Sequence, residues 1–226
     1  MDVGVVIPAY NVGNRIDHVL SNVLKYIPAR RIIVVDDGSS DETSQRARDR
    51  GVTLLRHPEN RGKGEALKSG FREAIRQGLD GVITLDGDGQ HAPDRIPCFV
   101  DQAEATGQDL VLGCRRFAVG EMPWDRILSN RLSTVLVSWL AGHPVRDSQC
   151  GFRFIQTWLL ERVTLETQRY ETETEFLVKA LRMGCRVGFC PVPVIYDGGP
   201  SHIRRGRDTL RFLRLYLNLL IHRNVA

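Results

Sequence analysis

Cysteine is scarce in this sequence and follows no pattern typical of a metal site or a disulfide scaffold. The chain has five cysteines among 226 residues, an odd and widely spaced set without a Cys-x-x-Cys pair. These features argue against a disulfide framework and against a structural zinc site. We therefore expect buried free thiols at all five positions, which are Cys98, Cys114, Cys150, Cys185 and Cys190.

The sequence also lacks a secretory signal, because no basic segment followed by a long apolar run occurs near Met1. It contains no internal repeat and no low-complexity linker. With 42% hydrophobic residues, the chain is long enough for one domain with a substantial core. We expect a single globular domain in the cytoplasm.

The net charge is small, but the charged residues are unevenly distributed along the chain. The formal net charge is +4, and the segment from Ser201 to the C-terminus carries six arginines against one acid, Asp208. Such a segment indicates an anionic partner, either a phospholipid, a lipid phosphate or a nucleic acid. We expect no nucleic-acid partner, because the sequence has no recognisable binding motif and no aromatic residues interleaved with the basic ones.

Short β-branched runs alternate with helical patterns through the first half of the chain. The runs cover residues 3–7, 31–35, 52–56, 81–85 and 109–114, and the helical patterns cover 15–26, 41–49, 64–77 and 94–106. This alternation predicts an α/β fold with a mostly parallel sheet flanked by helices. Beyond Cys114 the pattern loosens, with helices predicted at 124–140 and 173–183 and strands at 151–155 and 187–194.

The C-terminal stretch 207–222 predicts an amphipathic helix with one narrow polar stripe. The stripe consists of Arg207, Arg211, Arg214, Asn218 and His222. The remaining circumference is apolar, but arginines interrupt it before it reaches the roughly 20 residues of a membrane span. Two interpretations stay open: a helix that lies in the membrane interface, and a helix that docks on this domain or in a homodimer interface.

Polar residues follow several of the predicted strands directly, at the sheet edge where ligands of parallel α/β sheets bind. Asp86 and Asp88 follow the run 81–85, and Gly87 between them lets both carboxylates point to one place. With the amide of Gln90 they form an all-oxygen set that suits Mg²⁺ or Mn²⁺. The Asp-x-Asp pattern alone also fits an exposed turn.

Two further segments predict a nucleotide pocket. Asp36 and Asp37 follow the run 31–35, where one carboxylate would accept from the N–H groups of a base, with Pro8 and Tyr10 shaping the same pocket. Lys63 lies in a Gly-Lys-Gly segment that opens a helix and could face phosphate groups. Taken alone, these features equally fit charge at a helix start and a plain loop.

Together these motifs resemble glycosyltransferase family 2, most closely its dolichyl-phosphate mannosyltransferase and polyprenyl-phosphate glycosyltransferase branch. The four motifs stand in the family's order: 8–11 (PAYN), 34–43 (VVDDGSSDET), 60–64 (NRGKG) and 86–91 (DGDGQH). A thinner resemblance continues through 113–115 (GCR), Arg131 with Ser133, and 147–153 (DSQCGFR).

The resemblance implies a Rossmann-like GT-A fold that binds a GDP- or UDP-sugar. Residues 1–115 would form the nucleotide-sugar and metal half, 116–206 the acceptor half, and 207–226 the amphipathic helix. Asp37 would hold the base, while Asp86, Asp88 and Gln90 would hold Mg²⁺ or Mn²⁺. The predicted catalytic residues are Asp88, Arg115 and Arg131, the two arginines receiving the lipid phosphate. The predicted substrate-binding residues are Pro8, Ala9, Tyr10, Asp36, Asp37, Lys63, Asp86, Ser133 and Arg204.

The chain departs from the family pattern at two positions. Val12 replaces the acid that usually follows Pro-Ala-Tyr-Asn, so a donor contact expected there is missing or supplied elsewhere. Cys114 replaces a small hydroxyl residue.

We hypothesise inverting transfer of a hexose from the nucleotide sugar to a polyprenyl phosphate, by a protein peripheral on the cytoplasmic membrane face. Its membrane contact would come from the C-terminal helix, from a homo-oligomer or from a membrane subunit. The first alternative is a family 2 glycosyltransferase that acts on a hydroxyl of a saccharide or protein, which would require a base, for which Asp147, Glu173 and Glu175 are candidates. A nucleotidyltransferase, which would release pyrophosphate, is the second.

Overall fold

A computed structural model of the chain describes residues 1–115, 124–195 and 205–221. Within these ranges the chain forms seven strands and eight α-helices. The strands are β1 (Val3–Ala9), β2 (Ile32–Asp36), β3 (Thr53–Arg56), β4 (Gly81–Thr84), β5 (Leu110–Arg115), β6 (Arg153–Gln156) and β7 (Val187–Val192). The helices are α1 (Gly13–Val23), α2 (Thr43–Asp49), α3 (Lys63–Arg76), α4 (Ile96–Thr106), α5 (Trp124–Ala141), α6 (Thr157–Arg162), α7 (Glu171–Arg182) and α8 (Arg205–Ile221).

One sheet contains all seven strands, in the order β3-β2-β1-β4-β6-β5-β7. Strand β6 runs antiparallel to both of its neighbours, and the other pairs are parallel. The predicted α/β fold with a mostly parallel sheet is therefore confirmed.

Helices cover both faces of this sheet, because its central strands are apolar on both sides. On β1, Val6 faces one core with α3, α5, α7 and α8, whereas Val5 and Ile7 face a second core with α1, α2 and α4. Every residue of β1, β2 and β4 is buried.

Parallel pairing brings the carboxyl ends of β1, β2 and β4 to the same edge of the sheet. Pro8 is paired with Val35, and Val6 is paired with Thr84. The loops that begin at Tyr10, Asp37 and Leu85 therefore emerge side by side.

The structure corrects two sequence expectations. Cys98 of α4 and Cys190 of β7 form a disulfide, with their Cα atoms 6.6 Å apart, so free thiols at all five positions were a wrong expectation. The two residues are 92 positions apart, and only the packing of α4 along β7 brings them together. The short helix α6 was not predicted. It spans 6 residues, fewer than two helical turns, which is too short for a helical period to show.

Helix α8 packs on α7 and α5 through the buried Leu215 and Leu219. Within the described ranges, no helix is both long enough and apolar enough to cross a membrane.

Candidate active site

The loop after β4 carries the two aspartates predicted to bind a metal. Leu85 is buried at its start, while Asp86 and Asp88 are partly exposed. The backbone N–H of Gln90 donates to Asp88 Oδ1 at 3.0 Å, which closes a tight turn of the kind that aspartate favours. The loop therefore projects two carboxylates from one short segment at the sheet edge.

An ammonium group lies directly against this loop. Lys63, the first residue of α3, places Nζ 2.7 Å from Asp86 Oδ1 and 2.8 Å from Glu173 Oε2 on α7. On the other side of Asp86, His91 Nε2 lies 3.4 Å from Oδ2. The structure thus gathers residues from α3, β4 and α7 that are distant in sequence.

These surroundings shift the pKa values of the two aspartates in opposite directions. Burial alone would raise the pKa of Asp86, but the charge of Lys63 and the interactions with His91 hold it well below its usual range. For Asp88, burial and then the charge of Asp86 raise the pKa. The pKa of Lys63 is raised, because Asp86 and Glu173 together outweigh its burial. Asp88 is consequently the carboxylate whose charge is least compensated.

This loop fits a divalent cation by its donor chemistry. Asp86 and Asp88 supply carboxylate oxygens from positions with one residue between them, and burial together with the charge of Asp86 raises the pKa of Asp88, an effect that a bound cation would oppose. In addition, His91 Nε2 is buried, and apart from its 3.4 Å contact with Asp86 Oδ2 it has no hydrogen-bond partner among the described residues. Over residues 1–115, 124–195 and 205–221, however, no three His, Cys, Asp or Glu side chains are grouped as a metal site. The amide of Gln90 or another ligand would have to complete the set.

Asp37 holds together the loop that leads into α3. Its Oδ1 accepts from Arg61 N at 3.0 Å and lies 2.7 Å from His57 Nδ1, while its Oδ2 accepts from Gly62 N at 2.7 Å. Gly62 has φ 103°, a conformation that glycine adopts without strain. Asp37 is 2% exposed, so its carboxylate acts on the loop between β3 and α3 through these bonds.

Asp36 is fully buried and serves the turn that follows β2. It accepts from Ser39 N at 2.8 Å and from the Ser44 hydroxyl, and Arg56 Nε lies 3.6 Å away. Of the predicted pocket residues on β1, Pro8 and Ala9 are buried in the strand, whereas Tyr10 is exposed just beyond its end. Tyr10 is therefore the member of this set that a ligand can reach in this structure.

Arg115 ends β5 at the same sheet edge and is bound by a buried acid. Its Nε and Nη2 donate to the two oxygens of Asp147 at 2.8 and 3.0 Å. Burial would lower the pKa of Arg115, but Asp147 raises it, with smaller contributions from Cys150 and Asp86. Arg115 thus lies within electrostatic range of the β4 loop.

The remaining predicted residues lie on α5 or beyond the described ranges. Arg131 is exposed on α5. Ser133 Oγ lies 3.1 Å from Tyr216 Oη and accepts from Gln149 Nε2 at 2.9 Å, so it links α5, α8 and the loop before β6. Arg204 lies outside the described residues.

Sequence reasoning missed two histidines at this edge. His57 lies between Asp37 and Ser69, whose Oγ is 3.0 Å from Nε2, and His91 lies beside Asp86. Each follows a predicted feature directly, His57 after β3 and His91 after the metal motif. These positions, directly after predicted features, could have marked both histidines as candidate site residues.

Several known proteins resemble this chain over most of its length. The UDP-N-acetylglucosamine–dolichyl-phosphate N-acetylglucosaminyltransferase of Methanococcus voltae is 29% identical, over 96% of this chain and 94% of its own. The polyprenol monophosphomannose synthase of Mycolicibacterium smegmatis is 28% identical, over 83% of this chain and 75% of its own.

A solved structure shares the fold. The glucosyl-3-phosphoglycerate synthase of Mycobacterium tuberculosis, crystallised with Mn²⁺, UDP and glucosyl-3-phosphoglycerate, superposes with a TM-score of 0.72 at 23% identity. The match covers 98% of this chain and 79% of that one. It supports the GT-A fold of the chain.

The family model described as glycosyl transferase family 2 matches residues 4–169, which is well over half of the chain. The match includes β1 to β6 and every motif of the β1, β2 and β4 loops. The chain therefore belongs to glycosyl transferase family 2.

Proposed function

We propose that this glycosyltransferase moves a hexose from a GDP- or UDP-sugar to a polyprenyl phosphate, with inversion at the sugar carbon. The observation that carries the proposal is the state of the acids that could serve as a base. Arg115 binds both oxygens of Asp147, Lys63 holds Glu173, and Lys179 lies 2.6 Å from Glu175. A hydroxyl acceptor needs a carboxylate to remove its proton, whereas a phosphate dianion is already a nucleophile.

In the proposed reaction, an oxygen of the polyprenyl phosphate attacks the anomeric carbon of the sugar. The new bond joins this carbon to the acceptor phosphate, and the bond to the β-phosphate of the nucleoside diphosphate breaks. No proton has to be transferred. Arg115 and Arg131 would orient the acceptor, and a guanidinium pairs well with phosphate.

The donor would bind along the loops of β1, β2 and β4. Asp37 and Tyr10 would border the base, and Lys63 would face the diphosphate. A Mg²⁺ or Mn²⁺ ion held by Asp86, Asp88 and Gln90 would stabilise negative charge on the leaving diphosphate. In this arrangement residues 1–115 serve the donor and 116–206 the acceptor, with Arg204 as a further phosphate contact.

Two helices supply a surface that suits a membrane. Among the described residues, nine of fourteen exposed large apolar side chains lie on α5 and α8. We call these nine the α5–α8 surface: Trp124, Leu128, Leu132, Val135, Trp139, Leu210, Leu213, Leu217 and Ile221.

The two helices lie side by side on α7. Arg182 of α7 donates to the carbonyl oxygens of both Leu140 and Leu219, which pins the C-terminal ends of α5 and α8 together. Four arginines and one aspartate in the α8 sequence favour an anionic surface. The protein would thus be peripheral on the cytoplasmic membrane face, where its acceptor lies. The alternatives to the membrane as partner of this surface are a second copy of the chain and a membrane subunit.

The proposal is tested with a panel of GDP- and UDP-sugars and matched acceptors in the presence of Mn²⁺. The acceptors are a polyprenyl phosphate and the corresponding polyprenol, which differ only in the phosphate. We expect transfer of one sugar to the phosphate and none to the alcohol. Transfer to the alcohol or to an added saccharide would instead support the hydroxyl acceptor.

A further inference from the structure

The ammonium of Lys63 occupies the side of Asp86 that faces α7. It contacts Asp86 and Glu173 within 2.8 Å, and the side chains of Lys63, Asp86 and Glu173 are 17%, 28% and 16% exposed. One cation thus bridges two carboxylates that belong to different elements and are largely shielded from water.

The surroundings keep Lys63 between these two partners. A Cβ atom on Gly151 would lie 3.2 Å from Lys63 Nζ, 3.2 Å from Asp86 Oδ2 and 2.9 Å from Glu173 Oε1, so the backbone there closes over the cluster. The first turn of α3 is also fixed, since Glu65 N donates to Gln168 O at 3.0 Å. The helix that carries Lys63 is therefore fixed relative to both carboxylates, and its ammonium lies between them.

The cluster has a shortage of positive charge. Lys63 is one ammonium, and Asp86, Asp88 and Glu173 are three carboxylates, which leaves a formal charge of −2. A divalent cation would neutralise this charge. It would also need Asp86, whose Oδ1 already contacts the ammonium, and two cations at one carboxylate repel each other strongly at low dielectric.

We propose that Lys63 is the resident counter-ion of Asp86 and competes with the divalent cation for it, while Glu173 receives the ammonium when the cation binds. Glu173 is then a positioning residue that makes cation binding possible by holding Lys63 aside. The inference rests on the proposed function only for the divalent cation at Asp86 and Asp88. It needs neither a particular sugar nor a particular acceptor.

Independent electrostatic effects of the two charges predict the same results for the single variants, so single variants are not sufficient. Removing the positive charge of Lys63 strengthens cation binding in either case, and removing the negative charge of Glu173 weakens it. The two explanations differ in the double variant. If Glu173 acts by holding Lys63, its effect disappears once Lys63 is gone, whereas independent charges give additive effects.

The test is a double-mutant cycle of Mn²⁺ binding to the full chain without nucleotide. Binding is measured by calorimetry or by the electron paramagnetic resonance signal of free Mn²⁺. The variants are Lys63→Met, Glu173→Gln and the double variant. We expect Lys63→Met to tighten binding about tenfold and Glu173→Gln to weaken it about tenfold. In the Lys63→Met background, Glu173→Gln should change the affinity less than twofold.

The chain offers a matched control pair on the same helix. Lys68 Nζ lies 2.9 Å from Glu65 Oε1 in α3, with side-chain exposures of 15% and 16%. Lys68→Met and Glu65→Gln remove the same charges outside the Asp86 cluster, and they should leave the Mn²⁺ affinity within about twofold of wild type. Thermal unfolding of every variant shows whether it is folded.

Additive effects in the cycle would overturn the proposal, and so would unchanged or weaker Mn²⁺ binding by a folded Lys63→Met variant. Absence of Mn²⁺ binding by the wild-type chain would overturn it as well. The proposed function fails on a different result, namely the lack of transfer to polyprenyl phosphate. If the cycle gives the expected result but the chain transfers sugar only to hydroxyl groups, this inference holds and the proposed function fails.

Discussion

Asp86 and Asp88, the two acids of the β4 loop, differ in the groups that compensate their negative charge. Lys63 and His91 flank Asp86, whereas Asp88 accepts the N–H of Gln90 and carries a raised pKa. Asp88 therefore gains most from a bound cation. Among the described residues, the hydrogen bond that the Asp88 side chain accepts closes a local turn, so we expect its role to be chemical.

Replacing Asp88 by alanine should lower divalent-dependent transfer by at least about 100-fold, because a group that stabilises the leaving charge is removed. Initial rates at saturating Mn²⁺ measure the effect, and circular dichroism should show an unchanged fold. Asp94→Ala, which removes an exposed acid nearby, is the control and should retain activity. Full activity of Asp88→Ala in the presence of a chelator would rule out the metal assignment.

Arg131 is expected to act on the acceptor, since it is exposed on α5 beside the α5–α8 surface. Arg131→Ala should raise the KM for polyprenyl phosphate about tenfold or more, the usual loss for a charged hydrogen bond. The KM for the nucleotide sugar should stay within about twofold of wild type. Arg95→Ala removes an exposed arginine elsewhere and serves as the control. An equal rise in both KM values would contradict the assignment.

At the scale of elements, the sequence was most informative where one strand or helix decides the pattern. Strands β1, β2 and β4 are buried on both faces, and their apolar runs were visible directly. The contacts of Lys63 with Glu173 and of Arg115 with Asp147 were not visible, because they depend on how α7 and the loop before β6 return to the sheet. The apolar pattern of α5 predicted a helix, but it did not show which of its faces stays exposed.

Helix α7 is tied to the preceding loop by one buried acid. Glu175 accepts from Glu166 N, Thr167 N and Thr167 Oγ, and Lys179 Nζ is 2.6 Å away. Burial alone would raise the pKa of Glu175, but the hydrogen bonds of Lys179 and Thr167 lower it below its usual value. A lowered folded-state pKa stabilises the protein above the unfolded-state pKa of about 4.3, and this stability is lost as the pH falls through the folded-state value.

Glu175→Gln should therefore lower the free energy of unfolding by about 2 kcal/mol at pH 7, with the difference narrowing below about pH 4. Urea unfolding of both proteins between pH 3 and 7 measures this, and Glu161→Gln, an exposed acid, is the control. A difference that stays constant down to pH 3 would show that the charge of Glu175 is not the cause.

The α5–α8 surface gives a second prediction at this scale. Leu132→Ser with Leu217→Ser removes one exposed apolar side chain from each helix, so stability should change by less than about 1 kcal/mol. Sedimentation with anionic liposomes should show binding at least about tenfold weaker. Tyr26→Ser, an exposed change just after α1, which packs on the opposite face of the sheet, should leave liposome binding unchanged. Unchanged liposome binding with an altered oligomeric state would show that a second copy covers this surface.

For the whole molecule, the topology explains why the proposed site residues lie at one edge of the sheet. Parallel strands β1, β2 and β4 carry the proposed donor loops, and β5, which runs in the same direction as β4, brings Arg115 to the same edge. The α5–α8 surface lies on the helical layer that also contains α7, whose Glu173 reaches Lys63. The proposed donor loops, the proposed acceptor arginine and the α5–α8 surface thus belong to one continuous unit.

The proposed function requires that the acceptor is a lipid phosphate and that the sugar alone is transferred. The most direct measurement uses a donor labelled in the sugar, with polyprenyl phosphate and Mn²⁺, and determines the mass of the lipid product and the released nucleotide. The predicted result is a lipid product with one phosphate and one hexose, together with a free nucleoside diphosphate. A lipid with two phosphates, release of pyrophosphate, or label found only on a hydroxyl acceptor would contradict the account.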